Sequence, residues 1–420
     1  MFALVDCNNF FVSCERVFQP ELEGKAVIVL SNNDGCAVAR SNEAKALGIK
    51  MGTPFFQLKH LVDSGRLQVR SSNYKLYGDM SERVMNILRS SAPKIEVYSI
   101  DEAFMHLDGI DDPKAFCTEM RQRIRQWTGI PVSIGIAPTK TLCKIASHFA
   151  KRYAGYRGVC VIDTPEKRSK ALELTEINDV WGIGWRGAPK LASLGVRTAA
   201  DLAGKPEEWV RRHLNVTGMR TWQELKGIVA LEEEGEDRRQ SICTSRSFAS
   251  EISDLGELEQ RISDFAAACA RKLRSENSAA GRLVVFLWTN RFKPDMPQSF
   301  PSAEVRFQTA ANNTQEIVSA ALKGLREIYR TGFAYKKAGV IVDDISDASF
   351  TQNQLFETEQ ELEMRKKAET LSGVMDRFNT DEHQLLHLGT QRSGHYAAGI
   401  RREHCSKLYS TDWDELLEIH

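Results

Sequence analysis

The chain changes its hydrophobic rhythm several times, and each change marks a different kind of element. Over residues 1–165, short apolar runs alternate with stretches whose apolar residues recur every three or four positions, the pattern of interleaved strands and helices. The strand-like runs are Phe2–Val5, Ala26–Leu30, Ile95–Ile100, Ala103–Leu107, Val132–Ile136 and Val159–Ile162. The helical stretches are Asn8–Phe18, Asn42–Leu47, Lys75–Arg89, Ala115–Trp127 and Thr139–Lys151, the last with Leu142, Ile145, Ala146 and Phe149 on one face. Such alternation predicts an α/β domain carrying an insertion. Residues 166–230 lose the strand signal and break into short helices separated by glycine. The acidic run Glu232–Asp237 reads as a linker. A second α/β unit follows, in the order strand (Thr244–Phe248), helix (Leu255–Ser275), strand (Leu283–Thr289), strand (Ala303–Phe307), helix (Thr314–Arg330) and strand (Ala338–Val342). Residues 346–420 are polar. A chain of 420 residues is too long for one typical core and divides into three or four domains.

Lysine plus arginine (56) balances aspartate plus glutamate (56), so any contact with a polyanion must be local. The nine cysteines include no Cys-x-x-Cys pair and read as reduced thiols, which fits the cytosol. The N-terminus lacks a basic leader and Asp6 interrupts its apolar start, so neither secretion nor a membrane is expected.

Three carboxylates close apolar runs: Asp6 after Phe2–Val5, and the adjacent pair Asp101 and Glu102 after Ile95–Ile100. If the two strands lie side by side, the acids meet, and a cluster of hard oxygen donors suits two divalent cations of the Mg²⁺ type. The dipeptide alone decides nothing, since Asp-Glu also occurs at 381 and 414. Successive strand residues face opposite ways, so Asp101 and Glu102 share a site only if the backbone turns between them. A hairpin with arms Ile95–Ile100 and Ala103–Leu107 does this; a solvated turn carrying two surface acids is the plainer alternative.

Read together, Val5-Asp6-Cys7-Asn8-Asn9-Phe10-Phe11 and Tyr98-Ser99-Ile100-Asp101-Glu102-Ala103-Phe104 resemble the palm signatures of Y-family translesion DNA polymerases, specifically the UmuC-type catalytic subunit of bacterial DNA polymerase V. Further matching segments are Leu30–Cys36, Glu43–Gly48, Ser72–Tyr77, Lys140–Ala146 and Val180–Gly184. The resemblance implies an α/β multidomain polymerase shaped like a right hand: palm (1–19 and 76–165), fingers (20–75), helical thumb (166–231), linker (232–242), a βαββαβ little finger (243–345) and a clamp- and partner-binding tail (346–420). It also implies roles. Asp6, Asp101 and Glu102 would be catalytic and, with the Cys7 carbonyl, would hold two Mg²⁺ ions. Phe11 would be the steric gate whose ring rejects a 2′-hydroxyl. Phe10, Lys45 and Lys151 would contact the triphosphate. Where relatives carry tyrosine and arginine in the fingers, this chain has Asn42 and Lys45, a point charge without bidentate geometry. The basic residues Lys140 and Lys144 read equally well as a solvated helix face.

DNA phosphates are expected at Gly182 and Gly184, in a turn resembling a helix-hairpin-helix, and at Arg246 and Arg291 on the little finger. Gln352-Asn353-Gln354-Leu355-Phe356 resembles a sliding-clamp peptide with Gln352, Leu355 and Phe356 as anchors. Leu371, Val374, Met375 and Phe378 form one apolar face that either docks a partner or folds back. The resemblance implies primer-template DNA, deoxynucleoside triphosphates, a dimer of processed UmuD, a RecA filament and the clamp as partners, in a bacterial cytoplasm during the SOS response. Two other readings compete: a non-catalytic DNA- and clamp-binding scaffold, and another palm-type enzyme such as a nucleotide cyclase.

Overall fold

The computed structural model describes residues 1–231, 239–350, 359–379, 385–391 and 402–417. They fall into two compact units, Met1–Glu234 with Arg402–His420, and Gly235–Arg401.

The first unit begins with β1 (Phe2–Cys7), α1 (Phe10–Phe18), β2 (Val27–Leu30), β3 (Ala37–Arg40), α2 (Asn42–Ala46), α3 (Phe55–Asp63), β4 (Gln68–Ser71) and α4 (Tyr74–Ser91). It continues through β5 (Lys94–Val97), β6 (Glu102–His106), α5 (Pro113–Thr128), β7 (Val132–Ala137), α6 (Lys140–Arg152) and β8 (Val159–Val161). Five short helices follow, α7 (Pro165–Glu173), α8 (Gly187–Ser193), α9 (Ala199–Ala203), α10 (Glu207–His213) and α11 (Val216–Leu225).

Its main sheet runs β5-β6-β1-β7-β8, with β1 antiparallel to both β6 and β7. Ala3, Val5 and Cys7 point into the core shared with α4 and α5. Leu4 and Phe104 point the other way, into a core with Leu142, Ile145 and Phe149 of α6 and with the short helices. Because side chains alternate along a strand, Asp6 shares the face of Leu4 and Glu102 that of Phe104. This parity turns both acids toward α6. At Gly135 the approach of β7 to α6 is so close that a Cβ would stand 2.2 Å from the Cys143 carbonyl oxygen.

A separate sheet, β3-β2-β4, packs with α3 around Ile28, Leu30, Leu58 and Val69. The hydrophobic pattern showed only β2 and α2 of this region. Both flanking strands are four residues long, and Gln68-Val69-Arg70-Ser71 carries a single apolar side chain. In α8, Pro189 sits within the first turn, where its missing N–H breaks no helical bond. The short helices are tied to α6 by Glu224, fully buried, whose carboxylate accepts from Thr141 N (2.9 Å) and Ala230 N (2.9 Å).

The second unit contains β9 (Ser241–Ile252), α12 (Leu255–Ser275), β10 (Ser278–Thr289), β11 (Ser302–Ala311), α13 (Thr314–Ile328), β12 (Tyr335–Asp347) and α14 (Glu359–Phe378). The order matches the expected βαββαβ pattern, in a wholly antiparallel sheet β11-β10-β12-β9. Leu283, Val285, Leu287, Val340 and Val342 pack with α12 and α13, which gives the sheet one covered face.

The expectation of a single tail over 346–420 needs correction. Strand β12 extends to Asp347. Helix α14 folds back on the second unit: Ser372 Oγ accepts from Thr314 N (3.0 Å), and Asp376 pairs with Arg274 through two 2.7 Å contacts. Of its predicted apolar face only Met375 is buried; Leu371, Val374 and Phe378 remain exposed. Residues 402–417 belong to the first unit, where His404 O accepts from Ser71 N at the end of β4 (2.9 Å). The candidate clamp anchors Gln352, Leu355 and Phe356 lie outside the described residues. Among the described residues no helix is long and apolar enough to cross a membrane.

Candidate active site

The register of β1 on β6 pairs Asp6 directly with Glu102, and the Cys7 N–H donates to the Asp101 carbonyl (2.9 Å). The acids therefore meet, but not through the strands the sequence suggested. β5 is an edge strand ending at Val97 and does not touch β1; the neighbour of β1 is β6, which begins at Glu102. Asp101 sits in the turn between them, its carboxylate accepting from Ser99 Oγ (2.6 Å). Asp101 thus precedes β6, outside the strand alternation that fixes the face of Glu102.

Above them, α6 presents lysines along one stripe. Lys151 pairs with Asp6, Lys144 with Glu102 (2.5 Å) and Lys140 with Glu96 (2.6 Å). Lys140 is only 4% exposed, so a solvated basic face is the wrong description. These are partly desolvated ion pairs. Lys144 also lies 4.5 Å from the Tyr98 ring centroid and 5.4 Å from that of Trp181, whose indole N–H donates to the Tyr98 hydroxyl (3.3 Å). Sequence reasoning missed this aromatic pair.

Burial dominates the electrostatics. It pushes the Asp6 carboxyl up to about 7, with Lys151 pulling down and neighbouring Glu102 pushing up. For Glu102, burial also raises, but the hydrogen bond from Lys144 and the field of Lys151 outweigh it and leave the group below its ordinary value. The Cys7 thiol is driven well up by burial and then by Asp6 and Asp101, which removes it as a nucleophile.

Among the described residues, no group of three or more His, Cys, Asp and Glu is already arranged around a metal position. The chemistry of the donors nevertheless fits a hard cation. Asp6 and Glu102 face one another across adjoining strands, every donor is oxygen, and burial raises the Asp6 carboxyl despite its pair with Lys151, so a further cation would stabilise its charged form.

Beside this cluster, α1 starts at Phe10 behind Asn9, whose φ of 47° is left-handed and whose side chain does not cap the helix. Asn9 Oδ1 instead accepts from Lys45 Nζ (2.6 Å), and its Nδ2 donates to Asn42 (3.1 Å). The first-turn N–H groups of α1 are thus left without a side-chain cap next to an ammonium group, an anion-compatible arrangement. Burial, then Arg40 and Lys151, lower the Lys45 pKa. Arg40 is a charge that no motif had singled out. Phe10 is 3% exposed in the core, so its ring makes no triphosphate contact and only its backbone N–H remains available. Lys151 stands on Asp6 and not free for a phosphate. Phe11 takes the open side, stacked on Tyr77 with centroids 4.4 Å apart and planes at 14°.

The expected DNA contacts are scattered. Gly182 has φ 88°, and a Cβ there would meet Thr221 Oγ1 at 2.3 Å, so the turn demands glycine. Gly184 has nothing within 4 Å and no such demand. With seven residues, α8 adds little dipole to this turn. In the second unit, Arg246 pairs with Ala338 and so lies on the helix-covered side of the edge strand β9; the open face takes Ser245 and Ser247. Lys337 lies on that open face, 4.9 Å from the Trp288 ring centroid. Arg291 is exposed beyond the end of β10.

This architecture is that of the Y-family DNA polymerases. A Dbh–Dpo4 chimera of that family superposes with a TM-score of 0.67 at 22% identity, covering 82% of this chain and 99% of the other. An insertion ternary complex of Dbh DNA polymerase gives 0.54 at 22% identity over the same shares. Residues 5–148 match the impB/mucB/samB family and residues 239–355 its C-terminal domain. UmuC of Salmonella typhimurium strain LT2 is 39% identical over 426 residues, all of both chains, and ImpB of Salmonella typhimurium 38% over 99% of each. DNA polymerase IV of Oceanobacillus iheyensis is 31% identical over 67% of each. The chain belongs to the impB/mucB/samB family and is of the UmuC type.

Proposed function

We propose a two-metal nucleotidyl-transfer mechanism for this chain, which by family is a DNA-directed DNA polymerase of the translesion class. The observation that carries the mechanism is the direct pairing of Asp6 with Glu102 across β1 and β6, with Asp101 stapled beside them through the Cys7 N–H. Asp6, Asp101, Glu102 and the Cys7 carbonyl would hold two Mg²⁺ ions. When bound, the ions supply acidity at the primer 3′-hydroxyl and charge compensation at the phosphates.

The chain's own residues position the substrate. Lys45, supported by the uncapped first turn of α1, receives the triphosphate. Phe11 places its ring beneath the sugar, where a 2′-hydroxyl would collide. Lys151 and Lys144 hold the two half-buried acids paired until substrate and cations arrive, and Lys151 is then available to a phosphate. The turn at Gly182 and Gly184 and the open face of the second unit's sheet would grip DNA phosphates. Processed UmuD, a RecA filament and the sliding clamp complete the assembly, in a bacterial cytoplasm as part of the SOS response. The scaffold alternative leaves the opposed, half-buried carboxylates without a task.

The test is Mg²⁺-dependent primer extension past an abasic site by the full chain with UmuD dimer, RecA filament and clamp. Asp101→Ala should abolish extension and leave DNA affinity nearly unchanged. Extension retained by the variant would sink the metal assignment.

A further inference from the structure

Behind the candidate gate, a row of contacts ends in the C-terminal segment. Phe11, Glu15 and Phe18 recur at i, i+4 and i+7, so they share one face of α1. Phe11 lies flat on Tyr77, and the Tyr77 hydroxyl donates to Glu15 Oε1 (2.6 Å). The same carboxylate oxygen accepts from Ser406 Oγ (3.1 Å). Tyr77 and Glu15 are both 0% exposed. Segment 402–417 is held along this face at several points. Asn73 Nδ2 donates to Ser406 Oγ (3.0 Å) and to Lys407 O (3.0 Å). Tyr409 stacks on Phe18 with centroids 4.9 Å apart and planes at 2°, and its hydroxyl accepts from Gln19 Nε2 (3.0 Å). Ser410 Oγ donates to Asp79 on α4 (2.7 Å).

Burial alone raises the Glu15 carboxyl above its ordinary value, and the donors Tyr77 and Ser406 act against that cost. A buried carboxylate is an expensive way to fill a core. It is also a directional one. Aromatic stacking fixes distance but tolerates sliding and tilt, whereas a hydroxyl bonded to a buried carboxylate fixes where the Tyr77 ring lies. A gate ring excludes a 2′-hydroxyl only if the surface behind it does not yield.

We propose that residues 402–417 form a strap that positions the steric gate. Ser406 orients Glu15, Glu15 orients Tyr77, and Tyr77 backs Phe11, so the C-terminal segment sets how strictly ribonucleotides are rejected. Ser406, Glu15 and Tyr77 touch no substrate; they are positioning residues. The proposal rests on the reading of Phe11 as the gate.

The experiment uses the full chain on a primer-template. The ratio of kcat/KM for a deoxynucleotide and the matching ribonucleotide is measured for the unmodified chain, Phe11→Ala, Ser406→Ala, Ser406→Thr and Tyr77→Phe. A dideoxy-terminated primer gives the corresponding ratio of dissociation constants, with no chemistry needed. Ser406→Ala and Tyr77→Phe should each lower discrimination roughly fivefold, the scale of one hydrogen bond's net contribution. Ser406→Thr, which keeps the hydroxyl, should restore it, and Phe11→Ala should lower it further. If Phe11→Ala lowers discrimination but Ser406→Ala does not, the strap is overturned and the gate stands. Equal loss of both nucleotides in Ser406→Ala, at an unchanged ratio, also overturns it, since a merely structural strap gives that result. No change in Phe11→Ala removes the gate reading itself, and the strap with it.

Discussion

Replacing Gly135 by alanine should damage the first unit far more than one methyl group suggests. The added Cβ would stand 2.2 Å from both the Cys143 carbonyl oxygen and the Ser147 nitrogen, and 2.8 Å from the Ala146 carbonyl carbon. All three are backbone atoms of α6, so no side-chain rotation relieves the clash. Gly135 is not among the positive-φ glycines, which leaves sterics as the whole cost. The helix must back away by at least about 1 Å to reach ordinary contact distance. The penalty should be about 3 kcal/mol, the upper end for overpacking. Because α6 carries Lys144 and Lys151, the shift also displaces their pairs with Glu102 and Asp6, and incorporation should fall on the order of a hundredfold, typical of a 1 Å misplacement. With two compact units a single unfolding free energy is ill-defined, so amide hydrogen exchange over residues 132–152 is the suitable readout. A loss of about 3 kcal/mol appears there as roughly a hundredfold faster exchange. Gly155→Ala is the control: nothing lies within 4 Å of its Cβ position, and the change should stay within about 0.5 kcal/mol. Equal protection in the two variants would refute the reasoning.

Lys45→Ala should raise the KM for deoxynucleotide about tenfold with a smaller effect on kcat, the signature of lost ground-state binding; an unchanged KM in steady-state insertion removes Lys45 from the triphosphate site. In metal-free buffer, the folded chain keeps a proton on Asp6 up to about 7, whereas its ordinary value is 3.8. The folded state thus binds the extra proton, so the first unit's stability is greatest below the ordinary value and is lost as pH rises through about 7. Asp6→Asn should flatten that dependence in thermal melts, and an unchanged slope would contradict the burial argument. Deleting residues 352–356 should abolish stimulation by the clamp and spare clamp-free synthesis; equal loss of both would make the segment structural.

Legibility followed the kind of contact involved. Helix α12 was read to its exact ends, Leu255–Ser275, because its apolar stripe packs against a single sheet face. The strands of the second unit were located but read too short, since their outer ends carry polar residues such as Ser241, Ser302 and Asp347 that only the ladder holds in place. Asp6, Asp101 and Glu102 stood out as acids ending apolar runs. Which strand neighbours β1 did not, because register and sheet order depend on partners far apart in sequence. The strap over 402–417 left no hydrophobic pattern at all: its hold on the first unit is mostly hydrogen bonds from Asn73, Gln19 and Ser71. A polar segment reads as a tail until its partners are known.

The lysine stripe of α6 also explains how a chain with no net charge can carry out polyanion chemistry. Lys140, Lys144 and Lys151 are matched one to one by Glu96, Glu102 and Asp6. In the free chain each of these acids thus has an ammonium group beside it, which offsets part of its desolvation cost. On the proposed reading, a deoxynucleoside triphosphate entering with its cations would alter that pairing from both sides. The acids would gain stronger counter-charges, and the lysines would gain phosphates in exchange for carboxylates. Neither exchange would be favourable alone, because cations without the triphosphate would crowd positive charge around Lys144, Lys151 and Lys45, and the triphosphate without cations would face Asp6 and Glu102. The pairing on α6 would then favour joint entry of metal and nucleotide over either one separately, a coupling that would follow from the alternation of β1 and β6 turning both acids toward one helix.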